Sequence, residues 1–175
     1  PRWLTQNRPK AMNEHEDEPG ELYEELIDLL AIRGKSEAAF DTVERMRYRS
    51  FIERAGGTKL QGKVEDPGPP SEAWTISKLK ESFVLDRLKN TLLINYAVTS
   101  QRIIIWTIRG GQTLLMKVVN ITGEKLKNAV EIYRSALMHF QDNPIVSKQL
   151  ATWLLDPVLR TEDPEAIVII PSGPL

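Results

Sequence analysis

Apolar positions change spacing three times along the chain. They recur at helical intervals between residues 21 and 55, collect into short runs between 92 and 119, and return to helical intervals before a last run at 166–170. In the first stretch, 21–32, Leu22, Leu26, Leu29 and Leu30 fall on one side, the side that an amphipathic helix turns inward. Glu21, Glu24 and Glu25 occupy its first turn, where the helix dipole favours negative charge. Arg33-Gly34-Lys35 interrupts the pattern, and Ser36 is a good N-cap for a second helix over 37–55, closed by Gly56-Gly57. Its stripe is Phe40, Val43, Arg47 and Phe51, widened by Ala39, Met46 and Ile52. Two helices so briefly joined pack antiparallel, like one unit of a helical repeat. The length suits a tetratricopeptide hairpin, yet that repeat's signature residues are mostly absent and a single copy demonstrates no repeat.

The central stretch predicts three short strands, 92–98, 102–108 and 113–119, separated by Thr99-Ser100-Gln101 and by Arg109-Gly110-Gly111. Ile103-Ile104-Ile105-Trp106 is apolar without alternation, as expected of a strand covered on both faces. Ahead of these strands, Ile76, Leu79, Phe83, Leu85 and Leu88 give only a rough helical period. Behind them, Thr122 can cap a helix from 123 to about 139 with Leu126, Ala129, Val130, Tyr133 and Leu137 as its apolar face. Asp142 or Asn143 then caps a further helix with Pro144 at its first position, where a missing N–H costs nothing. It carries Val146, Leu150, Trp153 and Leu154 and ends near Asp156-Pro157. The run AIVII at 166–170 reads as a buried parallel strand, followed by Pro171-Ser172-Gly173-Pro174-Leu175. Strands, helices and then a strand make an α/β order. Residues 62–71, with three prolines and two glycines, form the clearest linker. The expected organisation is therefore a flexible linker (1–20), a helical hairpin (21–57), a Pro/Gly linker (58–71) and an α/β unit (72–175).

Composition narrows the chemistry. A chain of 175 residues, 41% hydrophobic and 27% charged, is ordinary for a globular protein that buries a sizeable core. A formal charge of −1 gives no general reason to expect nucleic acid or an anionic membrane as partner. The absence of cysteine rules out disulfides, thiolate metal sites and a cysteine nucleophile within these residues. No apolar run reaches membrane-spanning length and the start lacks the apolar core of a signal peptide, so a cytoplasmic setting is expected. The first residue is Pro1, which reads as a piece of something longer. Glycine-rich phosphate loops, metal-spaced clusters and G-x-S-x-G elbows are missing, and neither a cofactor nor a metal is expected. His15 lies in a sequential acidic run that reads as a solvated patch, and His139 as a surface or dipole-complementing residue near a helix end. Arg45, Arg47 and Arg49 around Tyr48, with Arg54 beyond, could mark nucleic-acid contact; Asp41, Glu44 and Glu53 balance them, which favours solvated faces with i,i+4 pairing. Trp106 and Trp153 read as core, Ser172 as turn chemistry, and Asn120-Ile121-Thr122 as a glycosylation match without meaning in the absence of secretion.

Residues from about 91 to 175 resemble the opening half of a CHAT domain, the caspase-like cysteine peptidase family often found behind tetratricopeptide repeats. The resemblance is carried by TLLINYAVTSQRIIIWTI, by the helix ITGEKLKNAVEIYRSAL, by SKQLATWLLDPV with its Leu-Leu-x-Pro step, and most specifically by AIVIIPSGPL. Upstream, FDTVERMRYRSFIERAGG is similar to the helical segment that leads into such domains. It implies the first half of a caspase-like three-layer α/β sandwich. Active members use a histidine after a later strand and a cysteine after the next, and this sequence contains neither position. The resemblance therefore implies a scaffold portion of a cysteine endopeptidase, with a protein or peptide as partner and no catalytic residue carried over. Pro171, Ser172, Gly173 and Pro174 would follow a central parallel strand, where open α/β sheets place their sites, and could line a peptide cleft. A non-enzymatic interaction module with a degenerate domain of this kind is the alternative. Strands lacking later neighbours would leave the chain oligomeric or prone to aggregate.

Overall fold

The hairpin of strands Thr91–Val98 and Ile103–Arg109 lies at the middle of the sheet around which the described residues are built. The computed structural model describes residues 18–57, 73–81, 90–109, 114–159 and 164–175. Its elements are α1 (Glu18–Ile32), α2 (Ser36–Gly57), α3 (Ile76–Glu81), β1 (Thr91–Val98), β2 (Ile103–Arg109), β3 (Leu115–Val119), α4 (Gly123–Met138), α5 (Pro144–Leu154), α6 (Asp156–Leu159) and β4 (Ala166–Ile170). The described strands form one mixed sheet in the order β3-β2-β1-β4; β1 runs antiparallel to β2 and parallel to β4. The α/β class is thereby established. The Gly110-Gly111 turn, the linker at 58–71 and most of the expected linker at 1–20 lie outside the described residues.

Alternation along the strands divides the core in two. Ile94 and Tyr96 of β1 and Ile103 and Ile105 of β2 face one way, against Leu126, Val130, Leu150, Trp153 and Leu154 of α4 and α5. Ala97, Ile104, Trp106 and Ile108 face the other way, against Ile27 and Ala31 of α1 and Ala39, Phe40 and Val43 of α2. Ile103, Ile104, Ile105 and Trp106 are all fully buried, as expected of a strand covered on both faces. The Phe40 and Trp106 rings meet edge to face at 5.8 Å, and the Trp106 indole donates to the Ser36 carbonyl (3.2 Å). The helical hairpin is thus one layer over the sheet and shares a core with it. Its first helix also begins earlier than expected, at Glu18.

Two expectations about orientation are corrected. In α1 the buried residues are Ile27, Asp28 and Ala31, whereas Leu22, Leu26 and Leu29 point to solvent. Polar contacts set this rotation: Asp28 accepts from the Thr99 hydroxyl (2.9 Å) and lies 3.3 Å from Arg102 Nε, while Glu24 accepts from the Ser100 N–H (3.1 Å). Those carboxylates reach the β1–β2 turn only when the leucines face outward. β4 is parallel as expected, but it is the edge strand, and Ile167, Val168 and Ile169 remain 44%, 42% and 51% exposed. Among the described residues the helices pack over β1 and β2, and β4 is left largely exposed.

Local signals fix the remaining elements. Thr122 caps α4 by accepting from the Lys125 N–H (3.3 Å), and Asn143, not Asp142, caps α5 by accepting from the Val146 N–H (3.2 Å), with Pro144 at the first position. At the start of α4, Gly123 donates its N–H to the Thr99 carbonyl (3.1 Å) so closely that a Cβ would lie 2.6 Å from that oxygen.

Candidate functional site

The loop at 171–175 leaves the carboxyl end of β4 and folds back over the carboxyl end of β1. Gly173 takes φ +61°, where L side chains are strained, and an added Cβ would stand 3.3 Å from Val98 Cβ. Leu175 packs with the α4/α5 core. Between this loop, β4 and the two helices lies a cavity of about 780 Å³. Of the four loop residues singled out from the sequence, Pro171 and Pro174 line it; Ser172 and Gly173 shape the turn instead. Tyr96, Leu137, Leu154 and Ile169 are among its apolar lining, and Arg134 is the charged side chain there. Such a space at the carboxyl end of parallel strands is where open α/β sheets accept ligands.

The Tyr96 hydroxyl donates to the Leu154 carbonyl (2.7 Å), and burial pushes its pKa up to about 12, so at neutral pH it is a fixed hydrogen-bond donor and no proton shuttle. Ser147 supplies a serine hydroxyl to the lining, and among the described lining residues there is no histidine. His139 lies at the end of α4, exposed, with Nδ1 2.8 Å from the Ser135 carbonyl, as a capping residue. Among the described residues there is no group of three or more His, Asp or Glu side chains that could hold a metal ion. His15 lies outside them.

The basic segment of α2 resolves into unlike roles. Arg47 enters the sheet: its Nη1 donates to Glu44 Oε1 (2.6 Å) and to Asn95 Oδ1 (2.8 Å), and its Nη2 donates to the Tyr96 carbonyl. Asn95 is fully buried in the middle of β1 and returns its amide N–H to Glu44 Oε1 (3.1 Å). This closed triangle is a structural bolt between helix and sheet, and it removes Arg47 from any nucleic-acid face. Arg45 is exposed, Tyr48 is half-buried, and the Arg54 side chain lies outside the described residues. Arg47 belongs to the apolar stripe of α2 by its spacing, and Asn95 within a β-run is the sequence signal for a polar partner there. A smaller recess of about 290 Å³ opens beside the triangle, lined by Tyr48, Phe51 and Trp74.

No family model, no curated protein and no solved structure matches this chain. Among the described residues no helix is long and apolar enough to cross a membrane.

Proposed function

We propose that this chain is the scaffold portion of a CHAT-type, caspase-like cysteine endopeptidase, contributing the opening strands and flanking helices and none of the catalytic groups. The observation that carries this reading is the state of β4. A parallel strand of five apolar residues, paired to a central strand whose own core-facing residues are buried, keeps its apolar side chains largely exposed and stands at the edge of the sheet among the described residues. Such a strand belongs inside a larger sheet, because parallel strands are stable when both faces are covered. Helices on both faces of the sheet and a cavity beside the loop at 171–175 agree with the three-layer sandwich that AIVIIPSGPL brings to mind. On this reading the missing histidine and cysteine stand on later strands, the cysteine as thiolate nucleophile and the histidine as its base and as acid to the leaving group. The Pro171–Pro174 loop then borders the peptide cleft.

The test is made on the native, full-length polypeptide. It should cleave a peptide library, lose that activity on thiol alkylation, and lose it by tenfold or more when Gly173 is replaced by Val. Cleavage that is absent, or indifferent to alkylation and to changes at both Ser172 and Gly173, would leave the interaction module as the reading.

A further inference from the structure

The outward face of α1 carries a row of exposed apolar side chains. Leu22, Leu26 and Leu29 recur at i, i+4 and i+7 and are 66%, 43% and 44% exposed; Ile32 extends the row at 63%. They share a helix of 15 residues whose opposite side is already used against the sheet. Helices with apolar residues on two sides are covered on two sides. The charges flanking the row are segregated along the axis: Glu21 and Glu25 stand exposed at its start, Arg33 and Lys35 exposed at its end. That polarity is self-complementary when two such helices run antiparallel.

We infer that the α1 row is a homodimer contact, in which α1 of a second copy packs antiparallel about a two-fold axis passing between Leu26 and Leu29. In this pairing Leu26 of one copy meets Leu29 of the other, Leu22 approaches the opposite Ile32, and Arg33 comes beside the opposite Glu21 and Glu25. Each contact occurs twice, as an isologous interface requires. The interface is one helix wide and about 22 Å long, which places it among weak, reversible dimers rather than obligate ones. The contact uses the face opposite the sheet core, so it is independent of the peptidase reading and of β4.

Sedimentation of the 175-residue chain over a concentration series tests it. Leu26→Lys, with its far-UV circular dichroism unchanged, should weaken self-association roughly a hundredfold, while Ile169→Lys on β4 leaves the dimer in place. Arg33→Glu alone, and Glu21→Lys with Glu25→Lys, should each weaken it roughly tenfold. Mixing those two variants should restore the dimer, because both ion pairs then re-form with reversed sign in one half and native sign in the other. A chain that remains monomeric throughout overturns the inference. So does association that survives Leu26→Lys and disappears with Ile169→Lys, and so does failure of the charge-reversed pair to recover.

Discussion

Arg47 stands among apolar neighbours on α2, and the reason lies across the interface on β1. Asn95 is buried at the centre of a strand, where an unpaired amide would be costly, and Arg47 and Glu44 satisfy it together. Arg47→Ala leaves the Asn95 amide oxygen and the Tyr96 carbonyl without this donor and the Glu44 carboxylate without its cation, so it should destabilise by about 3 kcal/mol, less than for a fully dry pair because the ion pair is partly solvated. Combining it with Asn95→Leu should cost clearly less than the sum of the single changes, which denaturant melts on the four proteins of the cycle would measure. Tyr96 supplies a second residue-scale expectation. Its phenol titrates near 10 when unfolded and at about 12 when folded, because burial disfavours the phenolate. The folded state therefore keeps the full contribution below pH 10 and loses it as pH rises through the window to about 12, a loss of about 3 kcal/mol. Chemical unfolding across that window should show this slope, and Tyr96→Phe should flatten it.

At the scale of elements, caps and close approaches fix where helices begin. A helix-propensity argument makes Gly123→Ala stabilising, since Ala is better than Gly in a helix by about 1 kcal/mol. Here the Cβ would press on the Thr99 carbonyl, so the change should instead destabilise by about 1–3 kcal/mol, as thermal melting would reveal. Loss of the Asn143 cap in Asn143→Ala should cost about 1 kcal/mol. These starts were legible in the sequence because a cap needs only its own next turn. The strands were legible for the same reason: the run Ile103 to Trp106 declares two covered faces without reference to what covers them. The rotation of α1 was not legible. Its leucines outvote Ile27 and Ala31 in any count of apolar positions, and only the distant Thr99, Ser100 and Arg102 show why Asp28 and Glu24 must turn inward. Likewise AIVII announces a parallel strand but carries no information on whether neighbours cover it, and the two prolines of its loop gave no sign of which would face the cavity.

For the molecule as a whole, one sheet carries helices on both faces over β1 and β2 and has little over β4. Apolar surface of that kind draws partners, so the 175-residue chain should bind an apolar fluorescent dye, and Ile167→Lys with Ile169→Lys should lower that binding while the melting temperature changes little. The central claim is that β4 borders further strands of a peptidase domain whose histidine and cysteine stand beyond it. The transcript read past the codon for Leu175 tests it most directly. The account predicts an open frame with at least two more apolar strands, a histidine following one and a cysteine following the next. A stop codon directly after Leu175, or a continuation without that pair, would contradict it.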